Sequence, residues 1–209
     1  FNNYFTPDTS RSALAVLRRA GCEVVIPGGH ICCGRPLYDF GFLDEAKRYL
    51  RALLERLAPA IDAGMPLVVL EPSCASVFRD ELRNLFPTDA RAERLRRQAF
   101  LLSEFLERQC PEYEPPRIEA PVLLHGHCHH KAVIKMGDEE ALLRRTGATL
   151  TLPDAGCCGM AGPFGFETEK YEVSKRIAQD GLMPAVDGAG PMTVLVADGF
   201  SCREQIEQL

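Results

Sequence analysis

Two adjacent cysteines set among glycines occur twice in this chain. Asp154-Ala155-Gly156-Cys157-Cys158-Gly159-Met160-Ala161-Gly162 follows a short apolar run, and Gly28-Gly29-His30-Ile31-Cys32-Cys33-Gly34-Arg35-Pro36 has the same form earlier. Glycine lets a backbone wrap closely around whatever neighbouring thiols hold. Such a loop suits a metal ion, an iron–sulfur cluster or a redox dithiol.

The rest of the chain agrees with an internal duplication. Arg18-Arg19-Ala20-Gly21 matches Arg144-Arg145-Thr146-Gly147, and each is followed by an extended run, a proline (Pro27, Pro153) and then Cys-Cys-Gly. The run ending in Glu71-Pro72-Ser73-Cys74 matches the one ending in Asp198-Gly199-Phe200-Ser201-Cys202, at a similar distance from its turn. A repeat found first guards against misreading the fold. It also aligns single positions. Counting back from Cys32 the interval that separates Cys157 from Cys128 arrives at Asn3. The strand answering to Val122–Leu124 is then expected upstream of Phe1, and the chain is read as a fragment of a longer protein.

Local patterns fill in the elements. A helix is expected from Thr6, its cap, through Pro7 to Gly21, followed by a strand over Cys22–Ile26. A long helix runs from Leu43 to about Ile61 with a bend at Pro59. Leu67–Leu70 reads as a buried strand, and Ser73 as the cap of a helix over Ala75–Phe86. Thr88 to Gln109 reads as helix, its Arg91, Arg94, Arg96 and Arg97 forming a solvated face. Pro111 to Pro121 carries four prolines and is the expected boundary. Then come a strand at Val122–Leu124, a helix over Asp138–Thr146, a strand over Ala148–Leu152, a helix from Glu167 to about Met183, a strand at Thr193–Ala197 and a helix from Ser201. Strands alternating with helices give an α/β fold with short, largely parallel sheets flanked by helices, in two pseudo-symmetric halves. Residues 1–115 form the first repeat, truncated at its N-terminus, and residues 116–209 the second.

Composition narrows the class. With 209 residues, 46% hydrophobic and 25% charged, the chain is an ordinary globular protein. A net charge of −5 gives no general affinity for nucleic acid. No apolar run approaches the roughly 20 residues of a membrane helix. Nine cysteines within long helical and strand patterns fit metal or redox thiols in a reducing compartment better than a small disulfide scaffold. Cys22 and Cys110 fall outside the repeat and read as structural.

The second half offers four cysteines, Cys128, Cys157, Cys158 and Cys202, the usual complement of a [4Fe–4S] cluster. The first offers three, Cys32, Cys33 and Cys74, with Asn3 in the fourth place, so the second site is expected to be the occupied one. Buried apolar thiols are the plainer alternative. His125, His127, His129 and His130 surround Cys128, either as hydrogen-bonding groups around the ligands or as zinc ligands. Arg35, Lys131 and Arg203 flank the cysteine loops, where they offset thiolate charge, receive an anionic partner or make ordinary surface ion pairs.

The wording of these motifs resembles a family. Cys33-Gly34-Arg35-Pro36-Leu37-Tyr38-Asp39-Phe40-Gly41, Glu71-Pro72-Ser73-Cys74, His125-Gly126-His127-Cys128-His129-His130-Lys131 and Ala197-Asp198-Gly199-Phe200-Ser201-Cys202-Arg203 are similar to the cysteine-rich CCG domain. That domain occurs in a subunit of heterodisulfide reductase and in iron–sulfur subunits of glycolate oxidase and anaerobic glycerol-3-phosphate dehydrogenase. The likeness narrows to the C-terminal part of bacterial FAD-linked oxidases that resemble D-lactate or D-2-hydroxyglutarate dehydrogenase. The resemblance implies electron transfer from a flavin, through iron–sulfur centres, to an acceptor it does not identify. This chain would be a non-catalytic piece of such an oxidoreductase. FAD-binding and ferredoxin-like domains of the same polypeptide or complex would be its partners. A cytoplasmic protein follows, with attachment to the inner face of the membrane left open. Two further functions compete: a zinc-stabilised or metal-free docking or oligomerisation domain of the same oxidase, and a thiol–disulfide relay through Cys32–Cys33 or Cys157–Cys158. The heterodisulfide reductase motif has a further cysteine three residues after the last; here Gln205 and Val77 stand in those places.

Overall fold

The computed structural model describes residues 2–29 and 31–209. Phe1 and the histidine of the first turn, His30, lie outside the described residues. The chain divides into two compact units, Phe1–Tyr113 and Glu114–Leu209.

The first unit runs α1 (Pro7–Arg19), α2 (Arg35–Asp39), α3 (Leu43–Arg56), α4 (Ala58–Asp62), β1 (Leu67–Val69), α5 (Pro72–Ser76), α6 (Leu82–Leu85), α7 (Ala90–Gln98), β2 (Ala99–Leu101) and α8 (Leu102–Gln109). A π-helical turn, Val77–Glu81, joins α5 to α6. The sheet is two parallel strands, with Leu67 opposite Ala99 and Val69 opposite Leu101. Leu50, Leu53 and Leu54 of α3 pack with Ile61, Val77, Phe78, Leu82, Leu95 and Ala99 into its core.

The second unit runs β3 (Val122–His125), α9 (Gly137–Arg145), β4 (Leu150–Thr151), α10 (Tyr171–Gly181), α11 (Met183–Asp187), β5 (Val194–Ala197) and α12 (Phe200–Gln208). Its parallel sheet has the order β4-β3-β5, so β3 lies in the middle. All four β3 residues are buried, as an apolar strand covered on both faces requires. Both units are therefore α/β with short parallel sheets, the architecture expected of a duplicated domain.

Several local expectations need correction. The expected strand over Cys22–Ile26 is not formed, and Val25 and Ile26 are 63% and 75% exposed. Its counterpart β4 pairs with β3, the middle strand. Among the described residues the first unit has no strand in that position, and an extended run without a ladder neighbour leaves its backbone groups to solvent. The helix expected over Thr88–Gln109 is two helices separated by β2. Ala99-Phe100-Leu101 has fair helix propensity, but pairing with β1 overrides it. Leu67–Val69 is only half-buried, with a strand on one side. The strand expected over Ala148–Leu152 shortens to Leu150–Thr151.

Two capping expectations fail because each hydroxyl finds another partner. The Ser73 hydroxyl does not cap; it donates to Glu71 Oε1 (3.0 Å), and the helix already starts at Pro72. The Thr6 hydroxyl donates to Asn2 Oδ1 (3.1 Å) rather than accepting an N–H of α1. Asp89 is a residue that does cap, taking the N–H groups of Arg91 and Ala92 at 2.8 and 3.0 Å. The arginines of α7 form the expected outer face: Arg91 and Arg94 reach Asp62, and Arg96 reaches Glu93.

One buried charge ties the π-helical turn, β2 and α8 together. Glu104, fully buried, accepts the Leu101 N–H (3.1 Å) and pairs with Arg79 (3.0 Å) and Arg108 (3.2 Å). Arg79 also donates to the Ala99 carbonyl at the start of β2 (2.6 Å). Removing one partner of a buried pair strands the other charge. Arg79→Leu should cost about 3 kcal/mol, the low end of that penalty because Arg108 remains. The double change Arg79→Leu with Glu104→Leu should recover much of the loss. Urea denaturation of the two variants checks this, and a loss below about 1 kcal/mol in the single variant would mark the pair as a surface-type bridge.

Candidate functional site

In an open parallel sheet the loops at the carboxyl ends of the strands form a shared edge. The second unit puts its cysteines there. β3 ends at His125 and leads to Cys128, β4 leads to the Cys157–Cys158 turn, and β5 leads to Cys202 in the first turn of α12. The first unit repeats the plan with Cys74 just beyond β1 and Cys32–Cys33 beyond the extended run.

Sulfur meets sulfur in both units. Cys33 Sγ lies 3.0 Å from Cys74 Sγ, and Cys32 hydrogen-bonds Cys33. In the second unit Cys157 hydrogen-bonds Cys158, which in turn hydrogen-bonds Cys202. Cys33, Cys158 and Cys202 are buried; Cys32, Cys74 and Cys157 are half-buried. Cys158 and Cys202 pack with Ala155, Met160 and Leu182 in the unit's own apolar cluster.

This packing works against ionisation. The bond with Cys32 favours the Cys33 thiolate, but the bond to Cys74, burial and the charge of Cys74 outweigh it and push the Cys33 thiol up to about 12. Cys158 follows the same pattern with Cys157 and Cys202 and also reaches about 12. Cys157 is pushed far up by its bond to Cys158 and by burial, against the opposing N–H of Gly159, which donates to its sulfur at 3.3 Å. Without a cation Cys33, Cys157 and Cys158 are thiols, not thiolates.

The turn is built on glycine for two reasons. Gly159 has φ +97°, a conformation side chains avoid, and a Cβ there would stand 2.2 Å from the Ser174 carbonyl oxygen. Gly165 would collide with Met160 and Ser174 in the same way. Behind the turn lies Gln205, fully buried, whose amide donates to Ser174 O (3.1 Å) and Oγ (3.2 Å).

Cys128 has different company. Its Sγ is 3.9 Å from Nδ1 of both His127 and His129, and those two rings stack at 5.3 Å. The three donor atoms lie within 4.8 Å of one another, the one such group among the described residues. Cys128 is exposed, while His127 is buried against Gly199, where a Cβ would sit 2.1 Å from the ring. His127 Nδ1 accepts the His129 N–H at 3.1 Å, which occupies the lone pair a metal would use. Burial, and then the neighbouring His129, lower the His127 pKa to about 4, so the ring is neutral. His130 Nδ1 pairs with Asp198 Oδ2 at 2.8 Å.

His125 is the residue that the structure singles out. It is 3% exposed, and neither ring nitrogen has a hydrogen-bond partner. Burial, and then the charge of Lys131, lower its pKa to about 4, opposed by Cys157. Its position at the end of the central strand, within electrostatic reach of Cys157, connects the histidine run to the Cys-Cys turn.

The flanking cations turn inward. Lys131 Nζ donates to the Ala155 carbonyl at 2.5 Å, and Arg203 to the Ala197 and Asp198 carbonyls at 3.0 and 2.7 Å. Arg35 pairs with Glu81 and with Asp39 (3.0 Å), and donates to Ser76 Oγ (3.3 Å). Among the described residues Lys131 and Arg203 make no ordinary surface ion pair but staple backbone at the loop ends. Sequence reasoning also missed Ser174 and the bracing role of Gln205. It missed, too, a cavity of about 320 Å³ beside Cys32 lined by Ile31, Tyr49, Ala52, Leu53 and Arg56. Nothing local in the sequence marks these, because they act across long separations.

Comparison with known proteins agrees with this architecture. The CCG cysteine-rich domain family matches residues 1–79 and 122–207, one block in each unit. One subunit of the anaerobic glycerol-3-phosphate dehydrogenase of Escherichia coli (strain K12) is 31% identical over 99% of this chain, which spans 52% of that protein. D-2-hydroxyglutarate dehydrogenase of Pseudomonas putida is 29% identical over the whole chain and 20% of its own length. Lactate utilization protein A of Bacillus velezensis is 30% identical over 77% of this chain and 69% of its own length. The chain thus spans about half of the first of these relatives and a fifth of the second. Among the described residues no helix is long and apolar enough to cross a membrane. With the family match falling on both Cys-Cys-Gly units, the chain belongs to the CCG cysteine-rich domain family.

Proposed function

We propose that the chain is an iron–sulfur electron-transfer domain of an FAD-linked 2-hydroxy acid dehydrogenase, with a [4Fe–4S] cluster held in the second unit. The observation that carries this reading is the run of contacts Cys157–Cys158–Cys202 at the carboxyl end of a parallel sheet, with the Cys157 and Cys158 thiols pushed above their ordinary range. Thiols that suppress one another's ionisation give up their protons together when a cation neutralises the group, which is what ligation requires. Cys128 supplies the fourth thiolate. The donor set fits the group, since clusters of this type are held by four cysteines. When bound, the cluster supplies one-electron transfer; the protein residues hold it, exclude water through Met160, Leu182 and Ala155, and place His125 within electrostatic reach of Cys157. FAD and the substrate pocket would lie in other parts of the full-length protein or complex, together with a ferredoxin-like domain. The relatives named for glycerol-3-phosphate, D-2-hydroxyglutarate and lactate support a dehydrogenase setting.

Anaerobic reconstitution with iron and sulfide should load about four irons per chain and give broad visible absorbance. Cys157→Ser with Cys158→Ser should abolish both, whereas Cys32→Ser with Cys33→Ser should leave most of the iron. A wild-type protein that takes up no iron would sink the reading. Because the thiols start protonated, loading should release protons, and uptake should weaken as pH falls. Pipetting ferrous iron into weakly buffered, sulfide-containing protein while recording pH measures the release, with the Cys157→Ser, Cys158→Ser double variant as the blank for protons that hydrosulfide itself gives up.

One observation favours a second reading. His127, Cys128 and His129 form a compact mixed nitrogen and sulfur group, the ligand chemistry of zinc, and would make this a zinc-stabilised docking domain. The His129 N–H on His127 Nδ1 weighs against it, since zinc would have to break that bond. Elemental analysis decides. Zinc that persists in Cys157→Ser but disappears in Cys128→Ser belongs to this group and displaces the cluster proposal.

A further inference from the structure

The first unit holds two cysteines that neither repeat uses. Cys22 follows the glycine that ends α1, with its N–H on the Leu17 carbonyl at 3.0 Å. Cys110 follows α8, with its N–H on the Leu106 carbonyl at 3.1 Å. Their Sγ atoms are 3.7 Å apart, although 88 residues separate them in the chain. Both are half-buried, so a small reagent reaches them. In the repeat, Gly21 answers to Gly147, so Cys22 answers to Ala148; the pair is not a by-product of the duplication. Each cysteine sits just past the last turn of its helix, and a disulfide would shorten the sulfur separation from 3.7 Å to about 2.05 Å.

We propose that Cys22 and Cys110 form a reversible disulfide, made by exchange with a small disulfide of the glutathione class, that ties the first helix of this unit to its last. The Cys22 thiolate attacks one sulfur of the small disulfide, and the other sulfur leaves as a thiolate that takes up a proton. Cys110 then gives up its proton and attacks the Cys22 sulfur, and the second small thiol leaves. Two protein thiols are oxidised, and one small disulfide is reduced to two thiols. Burial, and then its bond to Cys22, push the Cys110 thiol up to about 11, so Cys110 is a thiol that gives up its proton in the second step.

The bond would matter because α1 is lightly held. Only Ala13 and Leu17 of α1 are buried, and neither belongs to the unit's main core cluster. The chain leaving α1 leads directly to Cys32 and Cys33. Tethering α1 to the end of α8 therefore restrains the approach to the first Cys-Cys turn, while using none of the seven cysteines of the two repeats.

The protein is equilibrated with glutathione at graded ratios of oxidised to reduced form, alkylated, digested without reduction and mapped by mass. The expected result is one cross-linked peptide pair carrying Cys22 and Cys110, and a thiol titre lower by two from the nine of the reduced chain. The oxidised protein should melt at a higher temperature than the reduced one. Cys22→Ser and Cys110→Ser should each lose the link and the shift. Cys22 or Cys110 recovered only alkylated or joined to glutathione, with cross-links confined to Cys32, Cys33, Cys157 or Cys158, would overturn the proposal. A link formed without a change in melting would overturn the tether. Mapping of the parent protein reads the link whether or not a serine variant folds, and neither readout depends on iron.

Discussion

Thiol set against thiol is the constraint around which both units are arranged. A lone buried cysteine is an inert hydrophobe, but three in contact raise the cost of ionising any one of them. The protein accepts that cost at Cys33, Cys157 and Cys158, where bonds from a neighbouring thiol or from backbone N–H groups offset only part of it. Gly159 gives an N–H to Cys157, whereas Lys131 and Arg203 spend their charge on backbone carbonyls. A site meant to keep a reactive thiolate would do the reverse and place positive charge beside one sulfur. Grouped thiols with raised pKa at the carboxyl edge of a sheet suit the polythiolate site proposed above better than a single activated nucleophile.

Holding the sulfurs together falls to groups outside the motif. Lys131 grips the backbone just before Cys157, and Arg203 grips it at the end of β5, one turn from Cys202. Gln205 bonds Ser174 behind Gly159, at the point where an added Cβ on the glycine would meet both. The Cys-Cys-Gly turn is thus clamped from three directions. Its glycine is required less by flexibility than by a backbone approach that leaves no room for a side chain. His125 completes the frame from the central strand; with two buried nitrogens and no partner it carries a polar group whose cost the fold alone does not recover.

The fold class was legible in the sequence because parallel α/β units write themselves locally, as short apolar runs followed by amphipathic helices. The duplication by itself groups Cys128, Cys157, Cys158 and Cys202 into one set, and Cys32, Cys33 and Cys74 into another. It does not reveal what pairs with what. Ala99–Leu101 looks helical and becomes strand because Leu67–Val69 lies beside it; Cys22–Ile26 looks like strand and remains unpaired because its counterpart depends on a central strand. Ser73 and Thr6 have the right chemistry for caps, but Glu71 and Asn2 claim their hydroxyls. In each case a specific neighbour outcompetes a generic preference, and propensities carry no information about such neighbours.

The departures from the longer cysteine motif acquire a physical sense from packing. Where a further cysteine would follow Cys202, Gln205 is completely buried and its amide braces the turn through Ser174. Where one would follow Cys74, Val77 is 1% exposed in the core with Leu53 and Phe78. A thiol in either place would be shorter than the glutamine or would add a weakly polar atom to an apolar cluster, and in both cases something already fills the space. The fifth position has been absorbed into the scaffold that supports the remaining cysteines. The aligned cysteine positions of the two repeats differ at the first alone: Asn3 is exposed, whereas Cys128 sits beside His127, which packs on Gly199, and two residues before His130, which pairs with Asp198. That asymmetry, more than the shared Cys-Cys-Gly turn, is what separates a repeat with four aligned cysteines from one with three.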